Sequence, residues 1–110
     1  MAYDETLALR LRKILSRRKA VVEKKMFGGL GFMLHGNMLV GVWKKWFIAR
    51  LGADAGKVAL DVPFVKPMDL TGKPMKGWIF VDPGGLEGDD QLRDWIARAT
   101  KYVSALPKKN

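Results

Sequence analysis

The side chains able to do chemistry in this chain are few and widely spaced. His35 is the only histidine, and there is no cysteine. A metal centre needs several nitrogen, sulfur or carboxylate ligands converging on one point, and a single histidine beside a turn does not supply them. Without cysteine there are no disulfides and no thiol nucleophile. Nothing in the spacing places His35 near Ser16 or Ser104, so no Ser-His-Asp set is read. Gly28-Gly29-Leu30-Gly31 has the look of a phosphate-binding turn. It lacks both the G-x-G-x-x-G spacing and the Lys-Ser/Thr of a P-loop, and it leads into a strand rather than a helix. Thr71-Gly72-Lys73 runs straight into Pro74. Asp82, Glu87, Asp89 and Asp90 are clustered, but Arg93 stands where a calcium loop needs its bidentate glutamate. They read as acids at a helix start, where the dipole favours them. Asp69, close in sequence to Lys73 and Lys76, reads as a structural ion-pair partner. No catalytic, metal or cofactor-binding residue is assigned, and the chain is read as non-enzymatic.

Charge is the stronger signal. The 110 residues carry 20 Lys/Arg against 11 Asp/Glu, a net charge of +9. Residues 1–50 hold 11 of the basic residues and only 3 of the acidic ones. Such asymmetry favours a polyanionic partner: nucleic acid, an acidic membrane face or an acidic protein. The residues expected to make that contact are Arg10, Lys13, Arg17 and Arg18 along a first helix, Lys24 and Lys25 just after it, and Lys44 and Lys45 between Trp43 and Trp46. Lysines between tryptophans suit single-stranded nucleic acid, whose bases stack on aromatic rings. The plainer reading has the rings packed in the core or shielding a sheet edge while the lysines stay in water, and it is preferred here. For the helix, too, an ordinary surface helix is preferred over one lying along phosphates or on a membrane.

The elements that hold these residues follow from hydrophobic period and turn chemistry. A helix is expected over 4–18, with Asp4 as N-cap and Tyr3, Leu7, Leu11, Ile14 and Leu15 on one face; Leu9 falls on the opposite side. The stretch Met26–Trp43 is apolar and Gly-punctuated. Residues 30–35 and 38–43 read as a hairpin turning at Gly36-Asn37. A single bent strand is expected over 24–32, with glycines marking the bend. Lys44-Lys45 forms the next hairpin tip, and because Lys-Lys is poor two-residue turn chemistry a wider loop is expected. Residues 46–51 form a strand and 53–60 a short helix capped by Asp54. Prolines 63, 67 and 74 forbid helix and predict an irregular arm, with a short strand near 65–69 and a turn over 71–74. Residues 78–81 form a further strand. The last helix starts near Asp89-Asp90, carries Leu92, Trp95, Ile96, Ala99, Tyr102, Val103 and Leu106 on one stripe, and is stopped by Pro107. The whole is a single α+β domain over residues 1–110, with N- and C-terminal helices and an antiparallel sheet of about five strands, in the order α-β-β-β-α-β-β-α. No apolar run approaches the ~20 residues of a membrane span.

Several of these motifs together resemble the TfoX/Sxy family, specifically its N-terminal domain and the stand-alone short members. They are Met26-Phe27-Gly28-Gly29-Leu30-Gly31-Phe32, Gly36-Asn37-Met38, Ala49-Arg50-Leu51-Gly52, the block Pro67-Met68-Asp69-Leu70-Thr71-Gly72-Lys73-Pro74-Met75-Lys76-Gly77-Trp78, and a terminal helix with Trp95. The resemblance implies a two-layer α/β fold and a link to competence, where full-length members, which carry a second C-terminal domain, act as positive regulators alongside the cyclic-AMP receptor protein. It implies no catalytic or ligand residues. The leading expectation is therefore a cytoplasmic, non-enzymatic interaction module, regulatory in competence or transcription, with a protein partner. Direct nucleic-acid binding through the basic N-terminal half is the first alternative. A small-ligand protein or enzyme with a cleft near Asp69, Lys73 and Trp78 is the second. Homodimerisation through a strand edge or Leu9 is also open.

Overall fold

Asp4 starts the first helix by chemistry local to it: the Leu7 N–H donates to its carboxylate at 3.2 Å, satisfying one of the orphan donors of the first turn. In the computed structural model, which describes residues 3–26, 28–69 and 72–109, helix α1 runs Glu5–Leu15. Leu7, Ala8, Leu11 and Leu15 are buried, and Tyr3 and Ile14 pack against the same core. Leu9 is 61% exposed, as its place off the apolar face requires. Strands β1 (Val21–Met26), β2 (Gly29–Leu34), β3 (Asn37–Trp43) and β4 (Trp46–Arg50) follow, then helix α2 (Ala53–Ala59), strands β5 (Val65–Pro67) and β6 (Trp78–Val81), a 3-10 turn at Pro83–Gly85 and helix α3 (Asp89–Val103).

The strands make one six-stranded sheet in the order β1-β2-β3-β4-β6-β5, with every pairing antiparallel. The α+β class and the terminal helices are as expected. The sixth strand comes from the segment expected to be one bent strand over 24–32. It is a hairpin instead: Met26 pairs with Gly29 and Val21 with Leu34. Gly28 takes φ +76° and lets the chain reverse. Phe27 and Leu70, and Thr71 of the expected 71–74 turn, lie outside the described residues.

Two other turns differ from expectation. The β2–β3 turn is His35-Gly36, not Gly36-Asn37, with φ +51° and +83°. Asn37 opens β3, is buried, and donates its Nδ2 to the Pro107 carbonyl at 2.9 Å. Its amide thus fastens the C-terminal segment rather than easing a turn. The Lys44-Lys45 tip is a tight two-residue turn, since Trp43 and Trp46 pair directly across it. Lys44 sits at φ +53°, a cost for a long side chain offset by its carbonyl accepting from the Asp4 N–H at 2.8 Å. Asp54 does not cap α2 either. Gly52 does, at φ +88° with no side-chain bond.

α1 and α3 cover one face of the sheet. Their leucines, with Trp95 and Ile96, meet Leu30, Phe32, Val40, Val42, Phe47 and Val81 in the main core. Each fully buried aliphatic or aromatic side chain there contributes roughly 1.5–3 kcal/mol of burial. Arg12 donates to Glu23 at 2.6 Å, tying α1 to the edge strand β1. The opposite face holds a second, smaller cluster of Met38, Ile48, Met68 and Phe80.

Candidate functional site

That second face is built by strand alternation. In β3, β4 and β6 the residues between core positions, Gly41 and Trp43, Trp46 and Ile48, Trp78 and Phe80, turn away from the helices. Two methionines lie flat on the sheet in space left by glycines: a side-chain carbon on Gly31 would stand 3.1 Å from Met26 Sδ, and one on Gly41 2.7 Å from Met38 Cε. Met68, from the arm before β6, is buried beside them. The rings form one stack. Phe80 lies 5.6 Å from Trp43 at an interplanar angle of 11° and 5.4 Å from Trp46 at 17°, both within the range of favourable offset stacking. Phe80 is buried while both tryptophans remain half-exposed.

Cations ring the stack. Lys44 Nζ sits 4.7 Å from the Trp43 ring centre. Lys45 and Lys66 sit 4.8 and 5.2 Å from that of Trp46, and the Arg50 guanidinium is 5.0 Å from that of Trp78. Each is in cation–π range. The strand positions facing this way bear Lys24, Arg50 and Lys66 and no carboxylate. The acid at the rim is Asp82, whose carboxylate pairs with Lys45 at 3.2 Å and accepts from the Gly84 N–H at 2.9 Å. The Gly84 hydrogen bond first, then Lys45, hold that carboxyl below the usual carboxylate range.

The structure thus brings Lys44 and Lys45 together on one aromatic platform and disperses the other basic residues singled out from sequence. Lys24 is on this side of the sheet but on the far edge strand, opposite Gly31; Lys25 pairs with Leu30 and faces the helix side. Lys13 is exposed on α1, and Arg17 is exposed in the turn just past it, because the helix ends at Leu15 and does not run to residue 18 as expected. Arg18 donates to Thr100 of α3 at 3.0 Å. Arg10 turns inward, giving Nη2 to the Leu86 carbonyl at 2.7 Å and Nε to Asp89 at 3.1 Å. Arg50, Lys66 and Phe80 were not singled out from sequence. Lys66 reaches the platform only because the three-residue β5 pairs with β6, a long-range contact with no local signal.

The cleft expected near Asp69, Lys73 and Trp78 takes another form. A groove of about 580 Å³ lies between α2 and the arm, lined by Leu60, Pro67, Met75 and Trp78 among others, but neither Asp69 nor Lys73 borders it. Asp69 accepts from the Gly72 N–H at 2.7 Å. It closes its own turn and is not among the ion pairs of the described residues. His35 is exposed in its turn, where its carbonyl accepts from the Lys109 N–H at 2.7 Å. Among the described residues no group of three or more His, Cys, Asp or Glu is placed to hold a metal ion, and no helix is long and apolar enough to cross a membrane.

The TfoX N-terminal domain family model matches residues 13–102, more than half of the chain, and the chain belongs to that family. No curated protein and no solved structure matches it.

Proposed function

From its place in the TfoX N-terminal domain family we propose that this chain is a non-enzymatic, cytoplasmic interaction module in the regulation of competence or transcription, and that it works through the open sheet face. One observation carries the reading. Antiparallel sheets with one free face normally put polar residues on it, whereas here that face carries the half-exposed rings of Trp43, Trp46 and Trp78, seated on buried Met38, Met68 and Phe80 and ringed by lysine and arginine. Aromatic residues, Met and Arg are the types enriched where macromolecules meet, and Trp and Arg dominate binding energy there. The helix face is spent on the core.

The test is made in the source organism. Transcript profiles are compared for the wild type, a deletion strain, and deletion strains restored with wild-type protein, with K44Q/K45Q/K66Q, or with K13Q/R17Q at and just past the end of α1. The expected outcome is an altered transcript set in the deletion that wild type and K13Q/R17Q restore and K44Q/K45Q/K66Q does not. Unchanged transcripts in the deletion, or full restoration by the open-face variant, would overturn the proposal.

A further inference from the structure

We propose that the open face binds single-stranded nucleic acid, with bases stacking at Trp43 and Trp46 and the phosphate chain running past Lys44, Lys45 and Lys66. The inference rests on the reading of that face as a binding surface and adds the chemistry of its occupant.

Three features select this ligand. The first is the rings. Trp43 and Trp46 pair across a two-residue turn, and both are braced against Phe80. They are held in near-parallel planes before any ligand arrives. An aromatic platform held in place accepts bases of any sequence, because every base has a π-face. An acidic peptide would use the lysines but has no need of parallel rings.

The second is the cations. Three ammonium groups lie 4.7, 4.8 and 5.2 Å from the two ring centres, where a stacked base would bring its own phosphate. The Lys45 side chain is 60% exposed, so it can lift from the ring to a phosphate without unpacking the fold. Lys45 would exchange Asp82 for that phosphate. The strand positions around the rings offer no carboxylate to repel the backbone.

The third is shape. A duplex hides its base faces and is read by a helix or ribbon inserted in the major groove. Here the aromatic surface is a sheet face, and α1 and α3 lie on its other side. Such a surface reaches stacked bases only where they are unpaired.

The experiment is fluorescence anisotropy with labelled mixed-sequence 12-nucleotide single strands of DNA and RNA, and the matching DNA duplex, from 50 to 300 mM salt. Intrinsic tryptophan emission is followed in parallel. Wild type is expected to bind single strands with quenched tryptophan emission and the duplex at least tenfold more weakly. Three phosphate contacts give a log–log salt slope of about −2. K44Q/K45Q/K66Q, whose changes are all at exposed side chains, is expected to bind at least tenfold more weakly, and K13Q/R17Q to match wild type. W46L, which removes a stacking surface, is expected to lose about tenfold. Its fold is checked by circular dichroism, and the lysine variant carries the test if it fails.

Two results would overturn the inference: equal affinity for duplex and single strand that is lost in K13Q/R17Q, or no oligonucleotide binding at 50 mM salt. In the second case a transcript defect in the K44Q/K45Q/K66Q strain would leave the face as a binding surface with an acidic protein as its occupant. Absence of that defect as well would remove both readings.

Discussion

The Arg10 guanidinium donates Nη2 to the Leu86 carbonyl at 2.7 Å and so joins the middle of α1 to the loop that starts α3. The same group reaches Asp89 in the first turn of α3 at 3.1 Å, where a carboxylate already favours the helix dipole. Its side chain is 28% exposed, so the carbonyl bond is partly desolvated and charge-assisted. Arg10→Gln is expected to lower unfolding free energy by about 1–2 kcal/mol, read by urea denaturation. Lys13→Gln, at an exposed position of the same helix, and Arg17→Gln, exposed in the turn that follows it, are expected to stay within about 0.5 kcal/mol of wild type.

The Asp82 carboxylate carries a pH dependence of definite sign. Its pKa is lowered in the folded state, first by the Gly84 N–H and then by Lys45, while the unfolded chain titrates near the ordinary value of about 3.9. A lowered folded pKa means the stabilisation is fully present above the unfolded pKa and is lost as pH falls through the folded one. Asp82→Asn retains an oxygen to accept from Gly84 but carries no charge. The stability difference between wild type and D82N is expected to be constant from pH 7 to about pH 5 and to shrink below about pH 4. Urea unfolding at pH steps from 7 to 3 measures it. A difference that grew on acidification would contradict the assigned sign.

Gly52 and Gly77 meet backbone to backbone, where α2 starts and β6 begins. The Gly77 carbonyl accepts from the N–H groups of Leu51 at 2.7 Å and Gly52 at 3.2 Å. A side-chain carbon on Gly77 would stand 2.8 Å from the Gly52 carbonyl carbon. Gly77 also has φ +84°. Gly72, at φ +89°, has open space around it. Gly72→Ala therefore isolates the conformational cost, about 1–2 kcal/mol, and Gly77→Ala is expected to add about 1–3 kcal/mol of overpacking. Chemical denaturation of the two variants side by side gives the difference.

The helices and the starts of α1 and α3 were legible in the sequence because they are local: Asp4 caps α1, and the stripes of α1 and α3 bury as their period requires, while α1 ends at Leu15 instead of residue 18, α3 ends at Val103 ahead of Pro107, and Gly52 instead of Asp54 caps α2. Strand positions were legible for the same reason, but pairing was not. The glycines of residues 28–31 read equally well as a bend within one strand or a turn between two. Only the pairing of Val21 with Leu34 and Met26 with Gly29, a matter of sheet register, decides between them. The candidate site shows the same division. Lys44, Lys45 and their flanking tryptophans are adjacent in sequence and could be named. Lys66 and Phe80 join them through β4–β6–β5 pairing. Arg10 read as a free cation because its partners lie 76 and 79 residues away.

The glycines under the methionines give the sharpest contrast, since they share a face and differ in what they touch. On Gly31 an added carbon would meet the far end of the Met26 side chain at 3.1 Å from Sδ and 3.2 Å from Cε, a flexible thioether able to shift by a few tenths of an ångström. On Gly41 it would stand 2.7 Å from the Leu30 carbonyl oxygen, in the paired strand, as well as 2.7 Å from Met38 Cε. The strand cannot yield without breaking the β2–β3 ladder, where Gly31 and Gly41 are opposite each other. Gly31→Ala is expected to cost under about 1 kcal/mol and Gly41→Ala about 2–3 kcal/mol, measured by denaturant unfolding. Tryptophan emission of Gly41→Ala is expected to shift as well, because β3 carries Trp43 two residues on, and parting the strands would loosen its stack on Phe80. Equal costs at the two glycines would show that the methionines, and not the strand backbone, set the spacing of this face.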